Sequence, residues 1–306
     1  MTKVLIDCDP GIDDALALAL AAGTSLPLAG ITTVGGNVGL GLTTANALAL
    51  REFLDLGDVP VVAGCSGAII RGPIDAAEVH GTSGIGDVVL PPATRPVHEG
   101  HAVDFIIETL KASPGEITLV ATGPLTNIAL AVRREPRVAE WVRDFVIMGG
   151  SYTRGNTNPA AEFNILTDPE AAAIVFGAGW TVTMVGLDVT LQALVTAPIL
   201  DEMRGLGRLS ELLVPACQYY GVVTADGGPA LHDAVALAHV LDPSLLTLTP
   251  AAVDVETAGV HTAGMTVVDF RLRGRSPNAL VATGVDVAGF WKLMLGAYRR
   301  LGERLG

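Results

Sequence analysis

The amino-acid sequence predicts an α/β protein with a mostly parallel central sheet, helices on both faces of that sheet and extra strands near the C-terminus. Short runs that are almost continuously apolar alternate with helix-length segments from the start of the chain. Such runs are typical of parallel strands buried on both faces. Half of the 306 residues are hydrophobic, which is enough for a large core and argues against a disordered chain.

The predicted elements follow one another in a regular order. Each short run rich in Val, Ile and Leu predicts a strand, and each longer segment bounded by Gly, Pro or a capping residue predicts a helix. The strands predicted in the first part of the chain are Val4–Ile6, Leu28–Val34, Val59–Ala63, Ile117–Ala121, Asp144–Met148 and Thr181–Leu187. The helices predicted among them are Asp13–Ala22, Thr43–Leu56, His101–Lys111, Leu125–Arg133 and Pro169–Phe176.

The pattern changes after about residue 245. Three apolar segments predict additional strands, some of them antiparallel: Leu246–Val255, Met265–Leu272 and Leu280–Val285. A final helix is predicted over Val287–Leu305. Because no low-complexity linker divides the chain, residues 1–306 are interpreted as a single domain with a C-terminal elaboration.

The charge balance excludes several classes of partner. The chain has 19 Lys and Arg against 32 Asp and Glu, a net charge of −13. Nucleic acids and anionic membranes require a basic surface, so we expect neither as a partner. A neutral or cationic small molecule fits this charge better.

The sequence indicates a soluble, cytoplasmic protein. The N-terminus, MTKVLIDCDPG, has two acids where a secretory signal needs its apolar stretch. The uncharged runs at 15–50 and 171–187 are interrupted by Pro or Gly, which predicts helix, turn and strand instead of a membrane span. Cys8, Cys65 and Cys217 are too few and too scattered for a disulfide framework or a thiolate metal site, which favours a reducing compartment.

Four carboxylates lie close together after the first predicted strand, in DCDPGIDD: Asp7, Asp9, Asp13 and Asp14. Parallel sheets bind ligands beyond the carboxyl ends of their strands, which is where this segment falls. Helix capping explains one or two of these acids, but four of them repel unless a cation neutralises them. The segment therefore predicts a hard divalent cation, either Ca²⁺ in irregular geometry or Mg²⁺ in an octahedron with several waters.

The same segment allows a second interpretation. An Asp-x-Asp pair after the first strand is also found in haloacid-dehalogenase-type phosphatases, in which the first Asp is the nucleophile and Mg²⁺ is the cofactor. That chemistry needs a Lys and a Ser or Thr near the phosphate. The chain has few Lys near its predicted strand ends, which counts against this alternative.

Two further segments also follow predicted strands. In ATGPLTN, a turn at Gly123 and Pro124 leaves the Thr122 carbonyl able to face a ligand, although an ordinary turn capped by Thr126 or Asn127 explains the same residues. In MGGSYTRGN and AEFN, paired glycines permit a close backbone approach, and three polar side chains can bind sugar hydroxyls. These side chains are Asn156, Glu162 and Asn164.

Two histidines have neighbours that favour a functional role. His232 precedes Asp233 at the start of an apolar helix, where Asp233 could also be a simple N-cap. His80 lies in the Gly- and Pro-rich connection Arg71–Pro96, which we interpret as a lid or mobile segment. His239 is interpreted as a packed or surface residue.

Taken together, these motifs resemble those of the inosine-uridine-preferring nucleoside hydrolase family. They occur in the family's order over about four-fifths of the chain: DCDPGIDDALAL, VGGN, VHG, ATGPLTNIALA, MGGSYTRGN, AEFNILTDPEAA and ALHDAVALAHVL. The resemblance implies a Rossmann-like fold, hydrolysis of the N-glycosidic bond of ribonucleosides, one Ca²⁺ per subunit and a homodimer or homotetramer.

The resemblance also implies roles for individual residues. The implied Ca²⁺ ligands are Asp9, Asp14, the Thr122 carbonyl and Asp233, with Asp7 supporting them. The implied ribose contacts are Asp13, Asn37, Asn156, Glu162, Asn164 and the Met148 backbone. Asp9 would also deprotonate the metal-bound water, and His232 would be the acid near the leaving base. His80, with Tyr219 or Tyr220, would contact the nucleobase.

The residues agree with this chemistry and leave the base preference open. Carboxylates and amide oxygens stabilise an oxocarbenium-like ribose, and an acidic site favours nucleosides over nucleotides. The pair His80 and His232, with no tryptophan in the loops near His80 and 219–229, leans toward a pyrimidine or broad preference. A non-catalytic Ca²⁺-dependent nucleoside or ribose binder is a further alternative, although it would not need the pair Asp9 and His232.

Overall fold

The computed structural model describes residues 3–223 and 228–306, and within them nine strands form one sheet. In chain order the strands are β1 (Lys3–Cys8), β2 (Leu28–Thr33), β3 (Val61–Ala63), β4 (Ile117–Ala121), β5 (Asp144–Met148), β6 (Val182–Val185), β7 (Leu246–Val255), β8 (Thr266–Asp269) and β9 (Ala279–Val285). Their spatial order is β3-β2-β1-β4-β5-β6-β9-β7-β8.

Helices cover this sheet. In chain order they are α1 (Ile12–Thr24), α2 (Leu40–Phe53), α3 (Ala77–His80), α4 (Ala102–Ala112), α5 (Thr126–Arg134), α6 (Val138–Trp141), α7 (Phe163–Thr167), α8 (Pro169–Phe176), α9 (Leu187–Thr190), α10 (Ala197–Arg204), α11 (Ser210–Val223), α12 (His232–Leu241) and α13 (Val287–Leu305). Among the described residues, none of these helices combines the length and hydropathy needed to cross a membrane.

The strand directions confirm the predicted α/β class. Strands β1 to β6 and β9 pair in parallel, whereas β7 is antiparallel to both β9 and β8. The chain reverses its direction of strand addition between β1 and β4, and ligands of open parallel sheets bind at such a switch point. The carboxyl ends of β1 and β4, which carry the predicted acidic segment and Thr122, meet there.

Alternate residues of β1 face two different cores. Val4, Ile6 and Cys8 pack with α1, α12 and α13, while Leu5 packs with α4, α5 and α8 on the opposite face. Helix α1 is apolar on all sides because the sheet, α12 and α13 enclose it. The first turn of α1, which carries Asp13 and Asp14, is thereby fixed near the carboxyl end of β1.

The structure differs from the sequence prediction mainly between β6 and α12. Helices α10 and α11 were not predicted, and α11 contains Pro215 in its interior, a residue that normally argues against a helix. The connection Arg71–Pro96 contains the short helix α3, and its His80 is buried. Several predicted boundaries also move by a few residues, as in α2, which begins at Leu40 instead of Thr43.

Candidate active site

Asp14 is held by three donors from separate parts of the chain. The Gly11 amide donates to Asp14 Oδ2 at 2.9 Å, and the Asn37 side chain donates to the same oxygen at 3.2 Å. The Thr122 hydroxyl donates to Asp14 Oδ1 at 2.9 Å. The end of β1, the loop after β2 and the end of β4 thus converge on one carboxylate.

Asp9 is fully buried, and its two oxygens have different surroundings. Oδ2 accepts from the Asn37 amide at 2.7 Å, whereas Oδ1 has no hydrogen-bond partner among the described residues. Backbone crowds both oxygens, because a Cβ on Gly36 would lie 2.1 Å from Oδ2 and one on Gly123 would lie 2.6 Å from Oδ1. A buried carboxylate oxygen without a donor is one that a cation would satisfy.

Asp233 adds another carboxylate from the first turn of α12. One oxygen from each of Asp13, Asp14 and Asp233 lies within 4.8 Å of the others. Leu231, not Asp233, is the N-cap of α12, so capping does not explain this residue. An all-oxygen donor set of buried carboxylates fits a hard divalent cation.

Burial dominates the protonation of this cluster. It raises the pKa of Asp13 to about 7 and that of Asp9 and Asp233 well above their usual range, and neighbouring carboxylates raise them further. The pKa of Asp14 rises for the same first reason, although its hydrogen bonds oppose the rise. The cluster therefore cannot carry its full negative charge at neutral pH unless a cation is present.

Asp7 lies apart from this group, on the α5 side of the sheet. The Thr32 hydroxyl and the Asn127 side chain donate to its Oδ1 at 2.5 and 2.8 Å. Asn127 also donates to the Thr33 carbonyl, and Thr126 bonds Asp168, so neither residue caps α5. The Asp7 side chain bonds only residues that do not line the cavity described next, whereas Asp9 bonds Asn37, which does line it. Asp7 is therefore poorly placed to act as a phosphatase nucleophile.

A cavity of about 360 Å³ opens above the carboxylates. Its size is within the range of small-molecule sites. The predicted site residues that line it are Asp13, Asn37, His80, Thr122, Met148, Asn156, Glu162, Asn164, His232 and Asp233. Asp9 and Asp14 do not line it, but they bond Asn37 and Thr122, which do. The structure therefore brings the predicted residues to one place.

On the side of the cavity formed by β5 and α7, hydrogen bonds from amide groups hold the side chains in place. Asn164 Nδ2 donates to the Thr122 carbonyl at 2.7 Å and to the Met148 carbonyl at 3.2 Å. Glu162 is the N-cap of α7 and accepts from the amides of Gly150, Asn164 and Ile165. Asn156 is exposed at the rim and accepts from the Phe163 amide.

The two predicted histidines also line the cavity. His232 Nδ1 is 2.7 Å from the Thr190 hydroxyl, and His80 Nδ1 accepts from the Ile12 amide at 3.1 Å. Burial lowers the pKa of each to about 4, so both rings are neutral at pH 7. This differs from the expectation that His232 titrates near neutral pH, because the sequence did not show how deeply the ring is buried.

Sequence reasoning missed several lining residues. They are Asp75, Ala76, Glu78, Val79, Thr157, Phe163 and Leu191. The available signal was Glu78 and His80 in one short helical turn, with Asp75 just before it. Of the two tyrosines considered, Tyr220 lines the cavity and Tyr219 packs near Gly86. Residues 224–227 of the proposed base-specificity segment lie outside the described residues.

Comparison with known proteins agrees with this geometry. The family model described as inosine-uridine preferring nucleoside hydrolase matches residues 4–292. The chain is 44% identical to the inosine-uridine preferring nucleoside hydrolase of Leishmania major over 98% of both chains. It is 43% identical to the non-specific ribonucleoside hydrolase RihC of Escherichia coli O1:K1, over 94% of this chain and 95% of that one.

Similar solved structures also include ribonucleoside hydrolases. A purine-preferring ribonucleoside hydrolase from Gardnerella vaginalis superposes with a TM-score of 0.94 at 37% identity and covers 99% of both chains. Sequence similarity extends across nearly the whole chain, and the fold and the carboxylate cluster agree with it. The chain belongs to the inosine-uridine preferring nucleoside hydrolase family, whose members hydrolyse the N-glycosidic bond of ribonucleosides.

Proposed function

We propose that this protein is a Ca²⁺-dependent ribonucleoside hydrolase that releases a free nucleobase and ribose, with Asp9 as the base. One observation carries the proposal. Asp9 Oδ1 is buried without a donor, its carboxylate interacts electrostatically with the buried Asp13, Asp14 and Asp233, and Asn37, which bonds its other oxygen, lines a cavity of ligand size. A carboxylate in that state is suited both to a cation and to accepting a proton.

The proposed metal ligands are Asp9, Asp14, the Thr122 carbonyl and Asp233. The Thr122 carbonyl already accepts from Asn164, and its second lone pair remains available for a cation. A mixture of carboxylate and carbonyl oxygens from several loops suits Ca²⁺, which tolerates irregular geometry better than Mg²⁺. A bound Ca²⁺ would make a water molecule more acidic and orient the sugar hydroxyls.

The remaining residues act on the sugar and the base. Asp9 takes the proton of the attacking water, which reaches C1′ as the glycosidic bond breaks. The residues proposed to hold the ribose are Asp13, Asn37, Asn156, Glu162, Asn164 and the Met148 backbone. Their oxygens also stabilise positive charge on the sugar. His80 and His232 contact the nucleobase.

For the base, we propose a pyrimidine or broad preference. The relatives differ on this point, since their names include inosine-uridine preferring, non-specific and purine-preferring enzymes. The proposal is supported by the imidazole pair at the base side and by the lack of tryptophan among the described residues that line the cavity. The measurement is kcat/KM for uridine and inosine, and an equal or higher value for inosine would overturn the preference.

Calcium is tested separately from the reaction. Calorimetric titration of chelated protein with Ca²⁺ and with Mg²⁺ should give one site per subunit and tighter binding of Ca²⁺. The Asp14→Asn variant should lose that binding. Tighter binding of Mg²⁺ would contradict the proposed metal.

A homodimer or homotetramer in the cytoplasm remains our proposal for the state of the protein, and light scattering of the purified chain tests the oligomer.

A further inference from the structure

Thr190 is a buried residue whose hydroxyl contacts the cavity only through another side chain. It is the last residue of α9, is fully buried and does not line the cavity. Its Oγ1 lies 2.7 Å from Nδ1 of His232, which does line the cavity. With Nδ1 occupied in this way, Nε2 is the remaining polar atom that the ring can offer to a ligand.

We infer that Thr190 is a positioning residue that donates its hydroxyl proton to His232 Nδ1 and so keeps the imidazole proton on Nε2. This inference rests on the proposed function. In a neutral imidazole one nitrogen donates and the other accepts, and the bond made by one nitrogen decides the role of the other. The fully buried Thr190 hydroxyl needs an acceptor for its proton, and among the described residues its side-chain hydrogen bond is to His232 Nδ1.

The placement of Thr190 is fixed by the rest of α9. Asp188, two residues earlier, accepts from the Ser151 hydroxyl at 3.0 Å and from the Tyr152 amide at 2.9 Å. The Leu187 amide donates to the Gly150 carbonyl at 2.9 Å. The short helix is therefore tied to the loop after β5, so the threonine hydroxyl is presented to His232 in one position.

The role assigned to His232 in this arrangement is hydrogen-bond donation without proton transfer. As water oxygen adds to C1′ and gives its proton to Asp9, the electron pair of the C1′–N bond goes to the leaving base. Nε2–H donates a hydrogen bond to that base while negative charge develops on it. The base leaves as an anion and takes its proton from solvent, so His232 stays neutral throughout.

The test compares substrates whose leaving groups differ in their need for a donor. Thr190→Val removes the hydroxyl at nearly constant shape, Thr190→Ser keeps it, and Thr118→Val removes a buried hydroxyl at the start of β4, away from the site. We expect Thr190→Val to lower kcat for uridine about tenfold or more and kcat for nitrophenyl riboside less than about twofold. Thr190→Ser and Thr118→Val should stay within about twofold on both substrates.

Several results would overturn the inference. Equal losses on both substrates in Thr190→Val would assign Thr190 a structural role only, and unchanged uridine turnover would assign it none. Failure of the wild type on every riboside would instead reject the proposed function. Should Thr190→Val not fold, nitrogen NMR of the wild-type, Ca²⁺-loaded protein decides, with His232→Gln identifying the signal. A proton on Nε2 supports the inference, and a proton on Nδ1 contradicts it.

Discussion

At the scale of single residues, Asp9 is held in place by backbone that leaves no room for a side chain. Gly36 and Gly123 approach its two carboxylate oxygens from the loops after β2 and β4. Asn37 donates its backbone amide to Asp9 Oδ2 and its side-chain amide to Asp14 Oδ2, which ties the two carboxylates together. Asp9 can therefore occupy this position only because residues 36 and 123 have no side chain.

Gly36→Ala should displace Asp9, because the new Cβ would meet Oδ2 at 2.1 Å. We expect weaker Ca²⁺ binding and a loss of kcat of about a hundredfold or more. Gly39→Ala is the matched control, since a Cβ there has no atom within 4 Å and Gly39 has a φ of −60°. Steady-state kinetics and calorimetry check both variants. Similar activities in the two variants would contradict the role of this close approach.

Asp9→Asn should remove most of kcat, because one substitution takes away both the base and a charged metal ligand. The expected loss is about 10² to 10⁴ at saturating Ca²⁺. Kinetics on uridine measure it. A kcat near that of the wild type would reject Asp9 as the base.

At the scale of elements, the part of the cavity lined by Glu78 and His80 of α3 depends on how the segment before α3 is anchored. Arg71 forms a two-point ion pair with Glu170 of α8 at 2.8 and 2.6 Å, and the Ile69 amide donates to Asp168. This segment leads into the turn that carries Glu78 and His80 into the cavity. The lid predicted from composition is thus tied to α8 at its start.

Arg71→Met should loosen this anchor without altering the carboxylates. We expect KM for uridine to rise about two- to fivefold, as for the loss of a partly exposed ion pair of about 0.5–1 kcal/mol, with kcat nearly unchanged. Arg137→Met is the control, because Arg137 forms a similar two-point pair with Glu135 on the surface. Equal KM values in the two variants would argue against an anchoring role.

The elements also show what the sequence could and could not predict. The strands could be predicted because buried parallel strands are continuously apolar. The carboxylate site could be predicted because four acids at the end of one strand repel one another unless a cation neutralises them. Helix α11 was not predicted because it contains Pro215, a residue that normally interrupts a helix. Thr190 was missed because its only signal is a contact with His232, a residue 42 positions away, which no local pattern reveals.

At the scale of the whole molecule, the buried acids couple stability to pH. Burial raises the pKa of Asp7 and Asp13 to about 7, so the stability they contribute is full below their ordinary value of 3.8 and is lost as pH rises through about 7. The lowered pKa of His80 and His232 acts in the opposite direction, but their contribution is already complete above about pH 6.5. The carboxylates therefore dominate between about pH 7 and 8.5.

Chelated protein should accordingly have a lower Tm at about pH 8.5 than at pH 7. Added Ca²⁺ should raise Tm more at the higher pH, because its carboxylate ligands are then already deprotonated. Thermal unfolding with and without chelator measures both effects. A Tm of the chelated protein that is flat or rises over this range would contradict the assigned pKa directions.

The charge of the molecule should also select among substrates. The net charge is −13, and no Lys or Arg is found among the described residues that line the cavity. The 5′-phosphate of uridine monophosphate would bring negative charge to a site that is already acidic. We therefore expect kcat/KM for uridine monophosphate to be at least about tenfold below that for uridine. Comparable values would show that the acidic surroundings do not discriminate.

The most direct test of the account is ribose release from inosine, adenosine, uridine and cytidine, measured as reducing sugar with chelator, without it, and after Ca²⁺ is restored. We expect release that the chelator abolishes and Ca²⁺ restores. Release unaffected by chelator would contradict the metal role of the carboxylate cluster. No release from any of the four by folded, Ca²⁺-loaded protein would contradict the hydrolase itself and favour a non-catalytic nucleoside binder.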